Sequence, residues 1–527
     1  MWARLNFLLN SSCWRIFLIL NAPEFMQDER KKSVFTQSAH ALKWSYLGKF
    51  SSLALQFIVG LFLARVLGPE PFGIIAIALF VQGLGNLFSD AGLGSALVQA
   101  NEVSEEDVRS VFTAQIIIGA IATLVVMASA GPIAAYFGRI QADSVIRVLS
   151  LGFVLQSVGM TSVSLMRRHF KFKTIQLISI NSYVIGYLCV GLPMAYQGYG
   201  VWSLVFAYLV QVTLNSVLCY LSERHRIFPL SHPSKCRFWS FGGAITFNNV
   251  TSWLISNMDT AIIGRLFDVA VLGLYNRAFN IVNMPMYAIT SSIQTALLST
   301  YSRVQARREL ILTAFVASVS FMSLLLMPMY VAVISVSDIL LPVLYGKAWK
   351  GAAEILNPLC LAMVINGMLA MAGPVLTAIG KPRLELYSQL VSLLIGVPLV
   401  FFCGGYSISA LVWGVFVSYL IRYLLLLHVT LSELNGKLMF IFGVFIKPAL
   451  LSFFIYLIAM FVRQELMHFH VNNLITLIVV MFSCAVAYVI TVMYFGRWLI
   501  GETIRKLLES KKNELPVFVL KRLGIQQ

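Results

Sequence analysis

Charged and amide side chains recur at helical spacing inside long apolar stretches of this 527-residue chain. Residues three to four positions apart lie on one face of a helix, so each set forms a polar stripe. The four stripes are Ser45, Lys49, Ser52 and Gln56; Gln82, Asn86, Ser89 and Asp90; Asn249, Ser252, Ser256 and Asp259; and Arg277, Asn280, Tyr287, Ser291 and Gln294. An ionisable side chain in hydrocarbon is costly and normally faces a protein interior or a water-filled cavity. Together the stripes indicate a hydrated cavity that binds a polar ligand.

Each stripe residue taken singly has a simpler explanation. Ser, Asn and Gln often mediate helix packing or hydrogen bonds between helices. Asp259 and Arg265 could pair near one membrane interface, and Lys49 lies close enough to a helix end to snorkel. Only the set of stripes as a whole favours a pathway for a polar ligand through the protein.

The stretches that carry these stripes are long enough to cross a membrane. Hydrophobic residues make up 59% of the chain and charged residues 12%, against roughly 25% charged in a soluble domain. A helix needs about 20 apolar residues to span a bilayer, and lipid offers no partners to an open backbone. We therefore predict an all-α polytopic membrane protein of about fourteen transmembrane helices. The predicted spans are 45–66, 71–94, 111–136, 144–166, 175–196, 200–221, 239–263, 270–298, 309–335, 352–379, 384–404, 407–428, 440–462 and 473–495.

These spans divide the chain into six parts. The parts are a cytoplasmic N-terminal segment (1–43), a first lobe (44–221), a basic linker (222–238), a second lobe (239–428), a final pair of helices (440–495) and a cytoplasmic tail (496–527). Within the first part, residues 2–20 are apolar but broken by arginine and asparagine. Either Met26 is the true start, or this stretch is an interfacial helix.

Lys and Arg concentrate in every second loop, which predicts the orientation, because positive residues in short loops stay on the cytoplasmic side. The residues are Arg30, Lys31, Lys32, Lys43; Arg167, Arg168, Lys171, Lys173; Arg224, Arg226, Lys235, Arg237; Arg303, Arg307, Arg308; Lys381, Arg383; and Arg505, Lys506, Lys511, Lys512. Both termini are thus expected in the cytoplasm. The net charge of +17 is explained by this pattern and by attraction to anionic lipid, so we expect no nucleic-acid partner.

Enzymatic and metal-binding signatures do not stand out in the sequence. The seven cysteines are scattered, without metal-ligand spacing or a CxxC pair. Phosphate-binding glycine loops, dinucleotide fingerprints and nucleophile elbows are also missing from the sequence. We expect a transporter without a cofactor or catalytic residues.

An internal repeat appears at an offset of 200 residues. The run ARVLGPEPFGIIAIA, from Ala64, aligns with GRLFDVAVLGLYNRA, from Gly264. Six predicted spans separate the two runs, so both halves have the same orientation, as in parallel repeats related by an axis along the membrane normal. The identities are Arg65 with Arg265, Gly73 with Gly273 and Ala78 with Ala278.

Three runs resemble a known transporter family. They are KWSYLGKFSSLALQFIVGLFLARVLGPEPFG from Lys43, SDAGLGSALVQ from Ser89 and NMDTAIIGRLFDVAVLGLYNRAFNIVNMP from Asn257. The chain resembles the polysaccharide-transporter branch of the multidrug/oligosaccharidyl-lipid/polysaccharide (MOP) flippase superfamily, with colanic-acid and teichuronic-acid exporters and Wzx-type O-antigen flippases nearest in pattern. The resemblance implies two parallel six-helix bundles facing each other in a V, with two additional C-terminal helices.

The resemblance also implies a function. An undecaprenyl-pyrophosphate-linked oligosaccharide would cross the bacterial inner membrane by alternating access, for exopolysaccharide, capsule or O-antigen biosynthesis with a polymerase and chain-length machinery. For such a cargo, the cavity cations would bind pyrophosphate and the amides would bind sugar hydroxyls. The candidates are Lys49, Arg65, Arg265 and Arg277, with Gln56, Asn249 and Asn280. Asp90 or Asp259 could bind a coupling proton or sodium ion, and Asp259 could equally be a fixed counter-ion.

Two other functions remain open. A MATE-like drug/cation antiporter of the same superfamily predicts a compact cavity with fewer cations and twelve spans. A membrane-embedded glycosyltransferase or polymerase predicts a large outer loop with catalytic carboxylates or arginines, and no outer loop of this sequence is that long.

Overall fold

The computed structural model of this protein describes residues 29–90, 92–100, 102–227, 239–303, 305, 307–351, 353–436 and 439–499. Within these ranges the regular structure is helical, as the sequence predicts. The alternative start at Met26, most of the basic linker and the end of the tail lie outside the described residues.

Among its described residues, the first half of the chain contains eight α-helices and one π-helical segment, Val184–Gly191, which joins α6 to α7. The α-helices are α1 (Glu29–Leu67), α2 (Pro69–Asp90), α3 (Leu93–Gln99), α4 (Glu105–Tyr136), α5 (Gln141–Arg168), α6 (Phe172–Tyr183), α7 (Leu192–Tyr196) and α8 (Val201–Ser222).

The second half is also built of long helices with shorter ones between them, although the short helices fall at different places, and two further helices follow it. The helices are α9 (Trp239–Leu266), α10 (Val269–Arg303), α11 (Arg308–Ile334), α12 (Ser337–Tyr345), α13 (Ala353–Leu369), α14 (Ala372–Ala378), α15 (Pro382–Gly404), α16 (Ile408–Glu433), α17 (Met439–His468) and α18 (Asn473–Leu499).

Local sequence sets several of these boundaries. Gly68 separates α1 from α2 with a φ of 72°, a left-handed conformation that costs glycine little, and Pro69 then fits the first turn of α2. Ser104 caps α4 through a capping box, in which its hydroxyl accepts from the Asp107 N–H and the Asp107 carboxylate accepts from the Ser104 N–H. These signals end one helix and start the next within a few residues.

Twelve helical stretches among the described residues are long and apolar enough to cross a membrane. Helices α9 and α10 fall outside this set of twelve, although both are long. The predicted count of fourteen spans is therefore not confirmed. The polar residues of α9 and α10 lower the mean hydropathy of these two helices. A membrane span is recognised by its mean hydropathy, so neither helix is counted.

The two halves cross most closely where α2 meets α10. A Cβ atom on Gly73 would lie 1.9 Å from the Val269 carbonyl oxygen, and one on Gly273 would lie 2.0 Å from the Pro69 carbonyl oxygen. The contact is reciprocal at the 200-residue offset of the sequence repeat. A local two-fold axis therefore relates the halves at this crossing.

Each half also carries a matching ion pair at the end of the bundle that holds the predicted cytoplasmic loops, here called the basic end. Lys171 Nζ lies 2.6 Å from Glu223, and Lys381 Nζ lies 2.6 Å from Glu433, with 52 residues between partners in both cases. Partial burial would raise the pKa of Glu223, but hydrogen bonds from Lys171 and His169 outweigh it and hold the pKa below the usual range. Each pair ties the start of a half's fifth span to the end of its sixth.

The last two helices pack on the second half. Helix α17 lies along α11, and α18 lies along α17. At the end of the bundle opposite the basic end, Arg463 on α17 donates to the Ser335 carbonyl oxygen at 2.8 Å and pairs with Asp338 at 2.5 Å.

Candidate functional site

A cavity of about 170 Å³ opens between the halves toward the basic end. Helix α1 supplies Lys49, Ser52 and Gln56 from its predicted polar stripe, and α10 supplies Tyr287 and Ser291 from its own. Two of the four stripes thus meet as the sequence predicts. The lining residues are Lys49, Phe50, Ser52, Leu53, Gln56, Gln176, Tyr287, Ala288, Ser291 and Ser292.

Arg277 lies on α10 deeper between the halves. Its guanidinium carbon is 3.8 Å from the centre of the Phe72 ring on α2, a cation–π contact that favours a cation in a poorly solvated position. A Cβ atom on Gly60 of α1 would lie 3.4 Å from Arg277 Nη1, so the glycine leaves room for the guanidinium. Gly60 lies one turn beyond Gln56, and about 16 Å of helix separates it from Lys49.

The guanidinium of Arg277 has spare hydrogen-bonding capacity. The Tyr345 phenol lies close to it, and Arg277 Nε is buried and makes no hydrogen bond among the described residues. Leaving a buried charged donor unpaired is unfavourable. An anion at this position would satisfy the free N–H.

Tyr183 and Tyr187 stack next to Arg277, with ring centres 4.6 Å apart. Tyr183 ends α6, and Tyr187 lies in the π-helical segment. A π-helical turn changes the register of the residues that follow it, and such turns are frequent at functional sites. Both phenols come from the first half and lie close enough to the guanidinium to interact with its charge.

Arg65 and Arg265 lie away from the cavity, at the end opposite the basic end. Arg65 donates from Nε to the Leu344 carbonyl oxygen at 2.7 Å and from Nη2 to that of Val343 at 2.8 Å. The guanidinium of Arg265 lies 5.6 Å from the centre of the Tyr136 ring. Both arginines therefore cross from their own half to the other. Of the four predicted cavity cations, the structure brings Lys49 and Arg277 to the space between the halves.

Further contacts close this opposite end. The Trp349 indole N–H donates to the Ala64 carbonyl oxygen at 3.1 Å, and Trp349 is fully buried. Arg139 pairs with Asp268 at 2.8 Å. Each contact joins residues from different halves, so the structure is closed at this end while the cavity opens toward the basic end.

The stripe on α9 contributes little to the cavity. Ser252 donates to Gln389 of α15 at 3.2 Å, within the second half. Asn249 is exposed and does not line the described cavity. Asn280 on α10 is also exposed and donates to the Asn276 carbonyl oxygen at 2.7 Å on its own helix.

The stripe on α2 also turns into its own half. Gln82 is buried, and its amide and the Tyr208 ring of α8 both lie against Gly152 of α5, within the first half. The side chain of Asp90 lies outside the described residues. The periodicity shows that a stripe exists, but it does not show which neighbouring helix the stripe faces.

Asp259 is buried inside the second half. Its carboxylate accepts hydrogen bonds from the Tyr275 hydroxyl and from the Thr260 backbone N–H. Arg265 has a different partner, so the expected pairing of Asp259 with Arg265 is not the arrangement found. In the described part of the chain, no group of three or more His, Cys, Asp or Glu residues is placed to hold a metal ion.

Sequence reasoning missed the aromatic residues around Arg277. In the sequence these residues cannot be told from ordinary apolar positions, because aromatic residues are common in membrane helices. They are Phe72, Tyr183, Tyr187 and Tyr345. The one usable signal was spacing, since Tyr183 and Tyr187 are four residues apart and share a helix face. Contacts between distant helices could not be read from such spacing.

Comparison with known proteins identifies a family. Residues 62–354 match the family described as "Polysaccharide biosynthesis protein". The chain is 26% identical over 375 residues to the succinoglycan biosynthesis transport protein ExoT of Rhizobium meliloti (strain 1021), covering 70% of this chain and 75% of ExoT. It is 23% identical over 466 residues to the teichuronic acid biosynthesis protein TuaB of Bacillus subtilis (strain 168), covering 86% of this chain and 95% of TuaB.

The fold is similar to a solved transporter structure. The lipid II flippase MurJ, in an inward closed conformation, superposes with a TM-score of 0.69 at 17% sequence identity, covering 87% of this chain and 99% of MurJ. The agreement over nearly all of MurJ shows that the two chains share a fold.

Proposed function

Since this chain belongs to the polysaccharide biosynthesis protein family, we propose that it moves a lipid-linked oligosaccharide across the cytoplasmic membrane by alternating access. The carrier lipid would be undecaprenyl pyrophosphate, and the product would feed the synthesis of exopolysaccharide, capsule or O-antigen. ExoT is named as a transport protein, and MurJ is named as a flippase of a lipid-linked precursor. These names support transport as the activity.

The observation that carries the proposal is Arg277. A guanidinium held between the two halves, with an unpaired Nε and a phenylalanine ring against its face, is suited to an anionic group of the cargo. Arginine binds phosphate in a bidentate geometry, and such charge-assisted bonds are about twice as strong as neutral ones. The pyrophosphate of the carrier would supply the negative charge.

The cavity nearer the basic end suits the sugar part of the cargo. Ser52, Gln56 and Gln176 offer neutral donors and acceptors for hydroxyl groups, and Lys49 adds a cation at the mouth. Lys49 is the one charged side chain among the described lining residues. This charge supports an anionic cargo over the cationic drugs of an antiporter.

The proposed orientation puts the basic end and both termini in the cytoplasm. The arginine and lysine loops that follow α5 and α8 support it through the positive-inside pattern. The cavity would then accept cargo from the cytoplasmic side and release it outside, where a polymerase and chain-length machinery would use it.

We also propose that an ion gradient drives the cycle. The two candidates for the coupling group are Asp90 and Asp259, and the structure describes the side chain of Asp259. Its carboxylate is buried in the second half, where binding of a cation would neutralise it. A proton or a sodium ion would neutralise it at one stage of transport and leave at another.

Replacement of Arg277 tests the cargo site directly. Arg277→Gln removes the charge and Arg277→Lys keeps it as a point charge. Loss of hydrogen bonds to a charged group costs about 1.5–3 kcal/mol, or roughly ten- to a hundredfold in affinity. In cells that lack their own exporter, we expect R277Q to reduce surface polysaccharide strongly and R277K to reduce it less. Lipid-linked precursor should accumulate in both.

Arg147→Gln is the matched control. Arg147 pairs with Asp143 on the same helix, near the opposite end, so R147Q should leave polysaccharide unchanged. Normal polysaccharide from R277Q, at protein levels equal to the parent, would remove the basis of the proposal.

A further inference from the structure

Arg277 contacts two of three aromatic residues that also close the end opposite the basic end. We call Phe72, Tyr345 and Trp349 the aromatic latch. The Phe72 and Trp349 ring centres are 6.0 Å apart, and those of Tyr345 and Trp349 are 5.1 Å apart. Phe72 belongs to the first half, and the other two belong to the second. All three are buried.

The latch holds the backbone of the first half through Trp349. The Trp349 indole N–H donates to the Ala64 carbonyl oxygen. Next to it, Arg65 donates to the carbonyl oxygens of Val343 and Leu344, at the end of α12. Tyr345 ends the same short helix. The latch and the Arg65 contacts therefore fasten one short segment of the second half onto the end of α1.

Arg277 supports the latch from inside. The face of Phe72 packs against the guanidinium, and the Tyr345 phenol lies beside it. A phosphate oxygen is a much stronger acceptor for a guanidinium than a neutral phenol is. An anion that engages the free Nε and a neighbouring N–H would draw the guanidinium away from both aromatic partners.

We propose that an anionic group bound at Arg277 releases the aromatic latch and thereby opens the end opposite the basic end. A ligand shifts a conformational equilibrium only through a difference in its affinity for the two states. Competition between the anion and the latch provides that difference, because in the closed state the guanidinium of Arg277 packs against the Phe72 ring. The inference rests on the proposed function, since it takes Arg277 as the anion site.

Labelling of a cysteine under the latch tests the inference. Val343 is half-buried, and its carbonyl oxygen accepts from Arg65, so Val343→Cys keeps the backbone contact. The full-length protein, with its native cysteines replaced, is placed in lipid nanodiscs and treated with a membrane-impermeant maleimide. We expect inorganic pyrophosphate to raise the labelling rate several-fold.

Trp349→Phe tests the latch without a ligand. This change keeps an aromatic ring and removes the hydrogen bond to Ala64, so V343C should react rapidly even without pyrophosphate. Trp413→Phe is the matched control, because Trp413 lies on the outer surface of α16 and its loss should leave the rate unchanged.

The outcomes separate the two proposals. If pyrophosphate does not bind the parent protein in equilibrium dialysis, this result contradicts the anion site of the proposed function. Pyrophosphate that binds while the V343C labelling rate stays constant overturns the latch inference alone. A W349F protein that labels as slowly as the parent also overturns it.

Discussion

The environment of each cation decides what it can do. Lys49 sits in an open cavity, where its charge is hydrated and acts at a distance. Arg277 is enclosed by rings from both halves, so its charge is poorly solvated and a directly bound anion gains more. Arg65 has its donors occupied by backbone carbonyl oxygens. Three similar side chains thus lie in three environments, which suit long-range attraction, direct anion binding and closure of the opposite end, respectively.

His225 provides a prediction at the residue scale. It lies beyond the end of α8, packed against Phe112 and Tyr220, with Nδ1 3.3 Å from Ser162 Oγ. Burial lowers the pKa of His225 below its ordinary value of 6.5, because it disfavours the imidazolium. The unfolded chain then binds more protons than the folded one, so this contribution to stability is present above about pH 6.5 and declines below it.

We expect His225→Gln to reduce the fall in melting temperature between about pH 7.5 and about pH 5.5. The measurement is thermal unfolding of the purified protein in detergent across this range. His470→Gln, on an exposed turn, is the control and should retain the fall seen in the parent. Identical pH dependence in H225Q and the parent would contradict the assignment.

At the scale of elements, glycine sets how closely α2 and α10 approach. The Cβ positions of Gly73 and Gly273 fall about 2 Å from carbonyl oxygens of the opposite helix, and backbone atoms cannot turn aside as a side chain can. The repeat in the sequence predicted that these two glycines are equivalent. It did not predict that they lie against each other's helices, because an alignment carries no information on spatial contact.

Gly73→Ala and Gly273→Ala should therefore be harmful to a similar extent. Overpacking typically costs about 1–3 kcal/mol, so we expect a lower melting temperature and reduced surface polysaccharide for both variants. Gly443→Ala on α17 is the control, because no atom lies within 4 Å of its Cβ position. If Gly273→Ala were tolerated while Gly73→Ala was harmful, the result would argue against the two-fold crossing.

At the scale of the whole molecule, two related halves meet at one end and part at the other. The matching ion pairs Lys171 with Glu223 and Lys381 with Glu433 brace each half separately at the basic end. The contacts of Arg65, Arg139 and Trp349 join the halves at the opposite end. This division of contacts suits a cycle in which each half moves as a unit.

The proposed energy coupling belongs to this scale, because an ion bound at the carboxylate of one half would have to change the movement of both. In proteoliposomes loaded with a labelled lipid-linked oligosaccharide, we expect Asp259→Asn to allow downhill movement but to lose acceleration by a proton or sodium gradient. Asp143→Asn, in an exposed ion pair near the opposite end, should keep the acceleration. A gradient response that survives in D259N would refute the assignment of Asp259.

The sequence by itself determined the membrane location, the helical class, the parallel repeat and the existence of polar stripes. Each follows from local composition or periodicity, which a chain displays before it folds. It also singled out Lys49, Gln56 and Arg277, which do lie between the halves. Its count of fourteen spans is not confirmed, because α9 and α10 fall outside the twelve stretches of the described residues that are apolar enough to cross a membrane.

Only the tertiary structure decided which stripes face each other and which cation is buried. The stripes on α1 and α10 line the cavity, whereas those on α2 and α9 turn toward their own halves. The partners of Arg277 come from helices far apart in the chain, including Phe72, Tyr183 and Tyr345. Helical periodicity fixes a residue's angle around its own axis, but the neighbour at that angle is set by packing between helices, which depends on the whole fold.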